Sequence, residues 1–412
     1  MIKTQNDATQ IIISRSEKFL SFAFCFILFV PFANYYASFC LKELGYDTVS
    51  IIFYPLIYMF SIISYLLVFS KTLKPFYFLI AFLFVIVFSV LFFPNNMDFI
   101  FTELFDLPYN PIYRTVFLGF PLLFIPFVIE DFNYLNKWVR NFSRITLLIA
   151  VFSFVYLIVL AGAKFEYMTF AYYLMLPAIY CFIDSVNRKK FIFFIISLFS
   201  LFCVALLGSR GALLSVVVFF LMYCFFFYQN GPRKRTLIVF LILVLTVVSL
   251  FYENIIQGLL ELSEAWNFES RSLENLLDST LFESKGRDNI TKELLRAFGK
   301  NIFGYGIFGD RPLITGSYAH NIFLELLIHY GCVFGTILII GYIYITLSPM
   351  LFDKYKKNSD IFMLYFALFS STFVKLMFSD SYLVFPTFWA LIAFSILIIQ
   401  RTKYEKRIKT CE

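Results

Sequence analysis

Residues 286–335 read GRDNITKELLRAFGKNIFGYGIFGDRPLITGSYAHNIFLELLIHYGCVFG, a polar, glycine-punctuated passage in a chain that is otherwise almost continuously apolar. Both histidines of the chain, His320 and His329, fall here, together with Arg287 and with Glu325 inside an apolar run. A second polar island, Gly208-Ser209-Arg210-Gly211, stands between two apolar runs. The two islands read as halves of one candidate active site at the outer side of a membrane.

The membrane follows from composition. Of 412 residues, 60% are hydrophobic, 22% aromatic and only 15% charged, too few polar groups to cover a soluble surface. Apolar runs of about 18 residues or more recur, each long enough to cross a hydrocarbon core of roughly 30 Å as a helix. Segments such as 145–160 and 191–207 are apolar on every face, without the alternation of a transmembrane barrel. The fold class is therefore all-α, a polytopic membrane protein. The net charge of +7 does not point to nucleic acid, because the basic residues gather in short loops. Six of the seven cysteines (Cys25, Cys40, Cys181, Cys203, Cys224 and Cys332) lie in expected helices as small packing residues, and no pair has metal-ligand spacing. The first apolar run has no small-residue cleavage site after it and reads as a retained anchor.

The hydropathy pattern predicts twelve spans, at 19–40, 49–70, 75–93, 113–129, 145–163, 166–183, 191–207, 211–228, 236–252, 320–349, 361–379 and 382–399. Spans one to nine thus occupy 1–252, a long outer loop 253–319, and spans ten to twelve with a tail 320–412. The loops at Lys71–Lys74, Lys137–Arg144, Arg188–Lys190, Arg233–Arg235 and Lys354–Lys357 fall on one side, as do both terminal tails, and they hold most of the 34 basic residues. By the positive-inside rule that side is cytoplasmic, and both termini are inside. The long loop is expected to carry short amphipathic helices, one around Ile255, Leu259, Leu260 and Leu262, a clearer one of about three turns around Ile290, Leu294, Leu295 and Phe298. A shorter outer loop, 94–114, is expected to pack beside or beneath it.

The candidate chemistry is anion binding with an acceptor-side histidine. Arg210, flanked by glycine and placed at an outer span end, has the fork of donors that suits two phosphate oxygens. Arg287 opens the amphipathic helix, where free backbone amides also favour an anion; Arg271, Arg296 and Arg311 are weaker candidates of the same kind. His320 sits at the outer boundary, and histidine titrates near neutrality, as a base toward a hydroxyl requires. His329, nine residues on along a helix, is expected on the opposite face. Gly304 and Gly306 are expected to let backbone approach a ligand. Glu325 and Lys375 lie at similar depth in two spans and are expected to form a buried ion pair. No ligand set for a metal is apparent.

These residues resemble the O-antigen polymerase and O-antigen ligase superfamily. The resemblance rests on Ser209-Arg210-Gly211 at a span end, the Gly286-Arg287 helix, the Gly304-Tyr305-Gly306 turn, and Ala319-His320-Asn321 followed by Leu324-Glu325 and Gly331. It covers about 190–350. It implies a GT-C-like glycosyltransferase of the bacterial inner membrane, with its active site periplasmic, that uses neither metal nor other cofactor. An undecaprenyl-diphosphate-linked oligosaccharide would be the donor, its diphosphate held by Arg210 and Arg287. His320 would orient or deprotonate the acceptor hydroxyl, and Asn321, Gly304 and Gly306 would contact substrate. Two activities share these residues: a polymerase extends a lipid-linked repeat unit, with a chain-length regulator as a possible partner, and a ligase moves the finished glycan to lipid A core. The short connection from Arg287 to His320 favours a polymerase, while Gly299 follows Arg287 after eleven residues, where the polymerase pattern has ten, and this keeps the ligase open. A lipid-linked oligosaccharide flippase is the alternative from another class, and it would need no long outer loop.

Overall fold

The computed structural model describes residues 2–44, 49–101, 110–156, 167–207, 210–227, 252–265, 285–314, 317–351 and 360–411. All regular structure in them is helical. The longer helices are α1 (Ile2–Glu43), α2 (Val49–Lys71), α3 (Lys74–Phe92), α4 (Pro111–Phe127), α5 (Phe132–Phe154), α6 (Tyr167–Arg188), α7 (Phe191–Leu206) and α8 (Arg210–Phe227). They are followed by α9 (Tyr252–Ala265), α10 (Lys285–Lys300), the single turn α11 (Asp310–Leu313), α12 (Ile322–Leu351), α13 (Asp360–Phe378) and α14 (Pro386–Cys411).

Six of these are long and apolar enough to cross a membrane: Arg15–Lys42, Phe53–Lys71, Lys74–Phe92, Met168–Arg188, Ile322–Leu351 and Asp360–Phe378. Three more apolar helices, Pro111–Phe127, Phe191–Val204 and Gly211–Cys224, are shorter. The expected ninth span, 236–252, lies almost wholly outside the described residues, as do the basic loops 233–235 and 354–357. The helix that enters the expected fifth span begins earlier than expected: α5 starts at Phe132, so Lys137, Arg140 and Arg144 belong to a helix and not to a loop, while 157–163 lie outside the described residues. Asp131 caps it by accepting a hydrogen bond from the Asn133 amide at 2.9 Å, the usual reason a helix begins at such a residue. Asn110 does the same for α4 through the Ile112 and Tyr113 amides.

α6 and α13 form the centre, each 83% buried, whereas α3 is only 17% buried. What α3 shows outward is Tyr77, Leu83, Phe84 and Leu91, a surface suited to lipid tails. Five of the named cysteines are buried, as packing residues are; Cys332 is exposed. At one end, charged pairs tie the helices together. Lys71 meets Glu17 at 3.4 Å, and the buried Asp184 receives Arg140, Arg144 and Arg188 at 3.1, 2.9 and 2.8 Å. Arg188 also reaches Asp360 at 3.3 Å. Lys71, Arg140, Arg144 and Arg188, among the basic residues on which the expected orientation rests, thus share one end of the bundle.

At the other end Ser89 and Asn96 meet the stretch 305–307. Asn96 Nδ2 donates to the carbonyls of Tyr305 (2.7 Å) and Ile307 (3.1 Å), and Ser89 Oγ to that of Ile307 (3.2 Å). The expected amphipathic helices exist as α9 and α10. In α9 the buried anchor is Ile256, while Ile255 is exposed. In α10, which runs past Gly299 to Lys300, Leu294 is buried and Leu295 is 52% exposed. The buried stripe of α10 packs with Ile314, Ala319, Leu324 and Ile328, which lays the helix across the start of α12.

Candidate functional site

The site is built on a break in α12. Gly331 has φ 76° and ψ −176°, a conformation open to glycine without a Cβ penalty. The break frees backbone groups inside an apolar helix, where leaving them unpaired is costly. Residues 302–306 satisfy them: the Cys332 amide donates to the Ile302 carbonyl at 2.7 Å, the Tyr305 amide to that of Ile328 at 2.8 Å, and the Gly306 amide to that of His329 at 3.1 Å. Gly304 (φ 90°) lies so close that a Cβ there would collide with the Gly331 nitrogen and sit 2.9 Å from the His329 carbonyl. A Cβ on Gly306 (φ 78°) would strike Ser89 Oγ and Phe93. Both glycines thus bring the loop into close contact with the protein's own backbone and side chains.

Behind this loop lies a buried polar cluster. Asp310 is fully buried and Arg311 and Glu325 nearly so. Arg311 Nη1 is 2.5 Å from both Asp310 oxygens and 3.3 Å from Glu325 Oε1. His329 Nε2 is 2.9 Å from Asp310 Oδ1, and its Nδ1 is 3.2 Å from Tyr382 Oη, which in turn meets Tyr330 Oη at 3.1 Å. Asp310 Oδ2 accepts from the Ala319 amide at 2.9 Å, and Glu325 accepts from the Ser381 hydroxyl and, at 3.4 Å, from the Tyr382 amide. Burial alone would raise the Asp310 carboxyl, but the Arg311 guanidinium and His329 hold it below the usual carboxylate range. Asp310, Glu325 and His329 offer donor atoms within 4.8 Å of one another, a spacing a metal ion could use. The Arg311 guanidinium already stands between the two carboxylates, however, so the donor set is matched by an internal cation.

The expected Glu325–Lys375 pair is corrected by this geometry. Glu325 pairs with Arg311, while Lys375 Nζ pairs with Asp380 at 2.9 Å and lies 3.9 Å from the Phe385 ring centroid. Equal depth along two helices says nothing about azimuth, and a loop arginine reached Glu325 first. Arg311, expected as an outward phosphate binder, is instead committed to buried carboxylates. His329, expected on the helix face opposite His320, is a member of this cluster.

His320 precedes α12 and has a left-handed backbone, φ 53°, at a cost of about 1 kcal/mol or more for a residue with a Cβ. Its ring lies 4.0 Å from that of Tyr318, centroid to centroid. The neighbours on both sides are tied down. Tyr318 Oη donates to the Ser379 carbonyl at 2.7 Å, the Ala319 amide is held by Asp310, and Asn321 caps α12 by accepting from the Phe323 (2.9 Å) and Leu324 (3.2 Å) amides. Asn321 Oδ1 is thus engaged at the helix end. Arg210 begins α8 and Arg287 lies in the first turn of α10; the side chains of both lie outside the described residues. Position 287 shares a helix face with Ile290 and Leu294, by the three- and seven-residue spacing, and that face packs toward Ala319. At the start of α8, a Cβ on Gly211 would collide with Tyr172 Oη and come within 3.5 Å of Phe378 Cβ, one residue before the Ser379 carbonyl that binds Tyr318.

Asp310, Ser381 and Tyr382 are participants that sequence reasoning passed over. The available signal was Gly309-Asp310-Arg311-Pro312, adjacent opposite charges in an otherwise apolar loop.

Among the described residues the protein is all-helical, with six helices long and apolar enough to cross a membrane, and its buried polar cluster lies at the end of the bundle opposite Lys71, Arg140, Arg144 and Arg188. Residues 195–340 match the family model described as O-antigen ligase, which supports the resemblance to the O-antigen ligase and polymerase superfamily that the motifs of that stretch carry. The matched stretch runs from α7 into α12 and contains Arg210, Arg287, Asp310, His320, Glu325 and His329. No curated protein and no solved structure matches the chain.

Proposed function

We propose that this chain is a surface-polysaccharide polymerase, a twelve-span GT-C-like glycosyltransferase of the bacterial inner membrane with both termini cytoplasmic. Its donor is a glycan on undecaprenyl diphosphate and its acceptor a lipid-linked repeat unit, which meet at the periplasmic rim. The observation that supports this reading is the convergence of three backbone positions. The start of α8 abuts Phe378, the next residue's carbonyl accepts from Tyr318, the Tyr318 ring lies tilted against that of His320, and the Ile290 and Leu294 face of α10, whose first turn holds position 287, packs with Ala319.

In this reading Arg210 and Arg287 hold the diphosphate. Negative charge on it grows as the glycosidic bond breaks, so arginines there stabilise the transition state more than the ground state. The diphosphate leaves as an anion and needs no acid. His320 orients the acceptor hydroxyl or takes its proton. Activity requires no metal or cofactor. A chain-length regulator is the expected protein partner, and nucleic acid has no part.

Purified protein is incubated with polyprenyl-diphosphate-linked repeat units. Longer lipid-linked chains support the reading, and Arg210→Lys and Arg287→Lys abolish most of the product because lysine lacks the guanidinium fork. Unextended substrate with intact wild-type protein refutes it, and transbilayer movement of that substrate marks a flippase. The matched family's description favours a second reading, transfer of the glycan to lipid A core. A deletion strain separates the two: core capped with a single repeat marks a polymerase, bare core a ligase.

A further inference from the structure

We infer that Asp310 and His329 are positioning residues that hold the Ala319–His320 backbone so that the His320 ring meets the acceptor. The inference rests on the reading of His320 as the acceptor-side group. His320 keeps a left-handed backbone in a segment that ends one residue before a helix. Such a conformation persists only where the surroundings over-determine it. Here three bonds do so: Tyr318 to the Ser379 carbonyl, Ala319 to Asp310, and the Asn321 cap. The middle one depends on a side chain that is itself aimed by Arg311 and His329.

Asp310 accepts the Ala319 amide with Oδ2 and presents Oδ1 to His329 and both oxygens to Arg311. The His329 ring donates through Nε2 to Asp310 and meets Tyr382 Oη at Nδ1, and the Tyr382 hydroxyl donates to Tyr330. His329 belongs to the last turn of α12 before the Gly331 break, and its carbonyl accepts from Gly306. The break in the helix, the loop that fills it and the backbone of His320 are therefore parts of one hydrogen-bonded unit. Loss of the His329 ring would free the Asp310 carboxylate to turn toward Arg311 alone and release the Ala319 amide. His320 would then sample other backbone conformations, and misplacement of a reacting group by about 1 Å is enough to slow a reaction roughly 10²-fold.

The test compares His320→Ala, His329→Ala, His329→Gln and Tyr382→Phe in the full-length purified protein. It measures kcat and KM for the lipid-linked repeat unit, the pH profile, and thermal unfolding in detergent. The expected results are a loss of roughly 10²- to 10⁴-fold in His320→Ala and a loss of about 10²-fold in kcat with unchanged KM in His329→Ala. His329→Gln, whose amide nitrogen replaces Nε2 as the donor to Asp310, restores kcat to within a few-fold of wild type. The residual activity of His329→Ala keeps the wild-type pH profile, because His320 is still present. If His329→Ala fails to fold, Tyr382→Phe decides, with kcat expected to fall about tenfold at unchanged KM. Wild-type kcat in both His329→Gln and Tyr382→Phe alongside an unaffected His329→Ala overturns the proposal alone. So does a His329→Gln variant as inactive as alanine with the pH dependence gone, since His329 would then itself move the proton. Full activity in His320→Ala removes the functional reading and the proposal with it.

Discussion

Replacing Arg311 by glutamine should damage this protein far more than replacing Glu325, and combining the two should repair part of the damage. At an effective dielectric of about 20, a pair of charges ~4 Å apart interacts by about 4 kcal/mol, and a pair ~5 Å apart by about 3 kcal/mol. Arg311 attracts two carboxylates at the shorter range, and those carboxylates, with donor atoms within 4.8 Å, repel each other at the longer one. Glu325→Gln forfeits about 4 kcal/mol of attraction but relieves about 3 kcal/mol of repulsion. Its amide oxygen still accepts from Ser381, so the net loss is about 1 kcal/mol. Arg311→Gln leaves two buried carboxylates with no cation, and breaking a buried ion pair in this way costs about 3–5 kcal/mol. The double variant strands only Asp310, which keeps His329 and Ala319 as donors, and should recover about 2 kcal/mol relative to Arg311→Gln. Reversible unfolding of the purified protein in mixed detergent micelles measures all three. A double variant no more stable than Arg311→Gln would refute the reasoning. Coupling of Glu325 to Lys375 as large as its coupling to Arg311 would refute it as well.

Gly331→Ala and Gly304→Ala should each destabilise the protein by about 2 kcal/mol or more, since both positions combine positive φ with a backbone atom where the Cβ would go; an unchanged unfolding midpoint in either would count against the packed break in α12. The Asp310 carboxyl is lowered from its ordinary value in the folded state, so its contribution is fully present above the unfolded value and is lost as pH falls through the folded one. The stability gap between wild type and Asp310→Asn should therefore stay constant from about pH 8 to pH 5 and close only below about pH 4; a gap that closes near neutrality would contradict the ion-paired state. Chelator should leave glycan transfer unchanged, because Arg311 holds the position between Asp310 and Glu325 that a cation would take; loss of activity restored by one added divalent ion would reverse that assignment.

The helical membrane class was legible because hydropathy reports solvent, and a lipid-facing helix such as α3 and a central one such as α13 both had to be apolar. Boundaries were legible where a capping residue or a basic pair interrupted the run, as at Lys71–Lys74 and Arg188–Lys190. They failed at α5, where Arg140 and Arg144 looked like loop residues because their partner, Asp184, lies 44 and 40 positions away. A charge inside a helix is unremarkable once a buried acid on the next helix receives it, and a one-dimensional pattern holds no record of that acid.

The polar rim was legible for the same reason of scarcity, since few polar residues interrupt the apolar runs there. What each residue does was less legible, because role depends on partner. The helix-wheel argument that set His329 opposite His320 assumed one continuous helix through both. His320 lies before α12 begins and has a left-handed backbone, so the rotation per residue does not carry across it. Gly304 and Gly306 were read as room for a ligand; the broken turn of α12 lies against Gly304, and Ser89 and Phe93 lie against Gly306. That break is needed because Gly331 interrupts a helix in an apolar setting, and the freed amide and carbonyl groups there must find partners within the protein. The loop that supplies them delivers Asp310 to His329 and, through Ala319, fixes His320. A glycine in α12 thus determines where a histidine eleven residues earlier can stand.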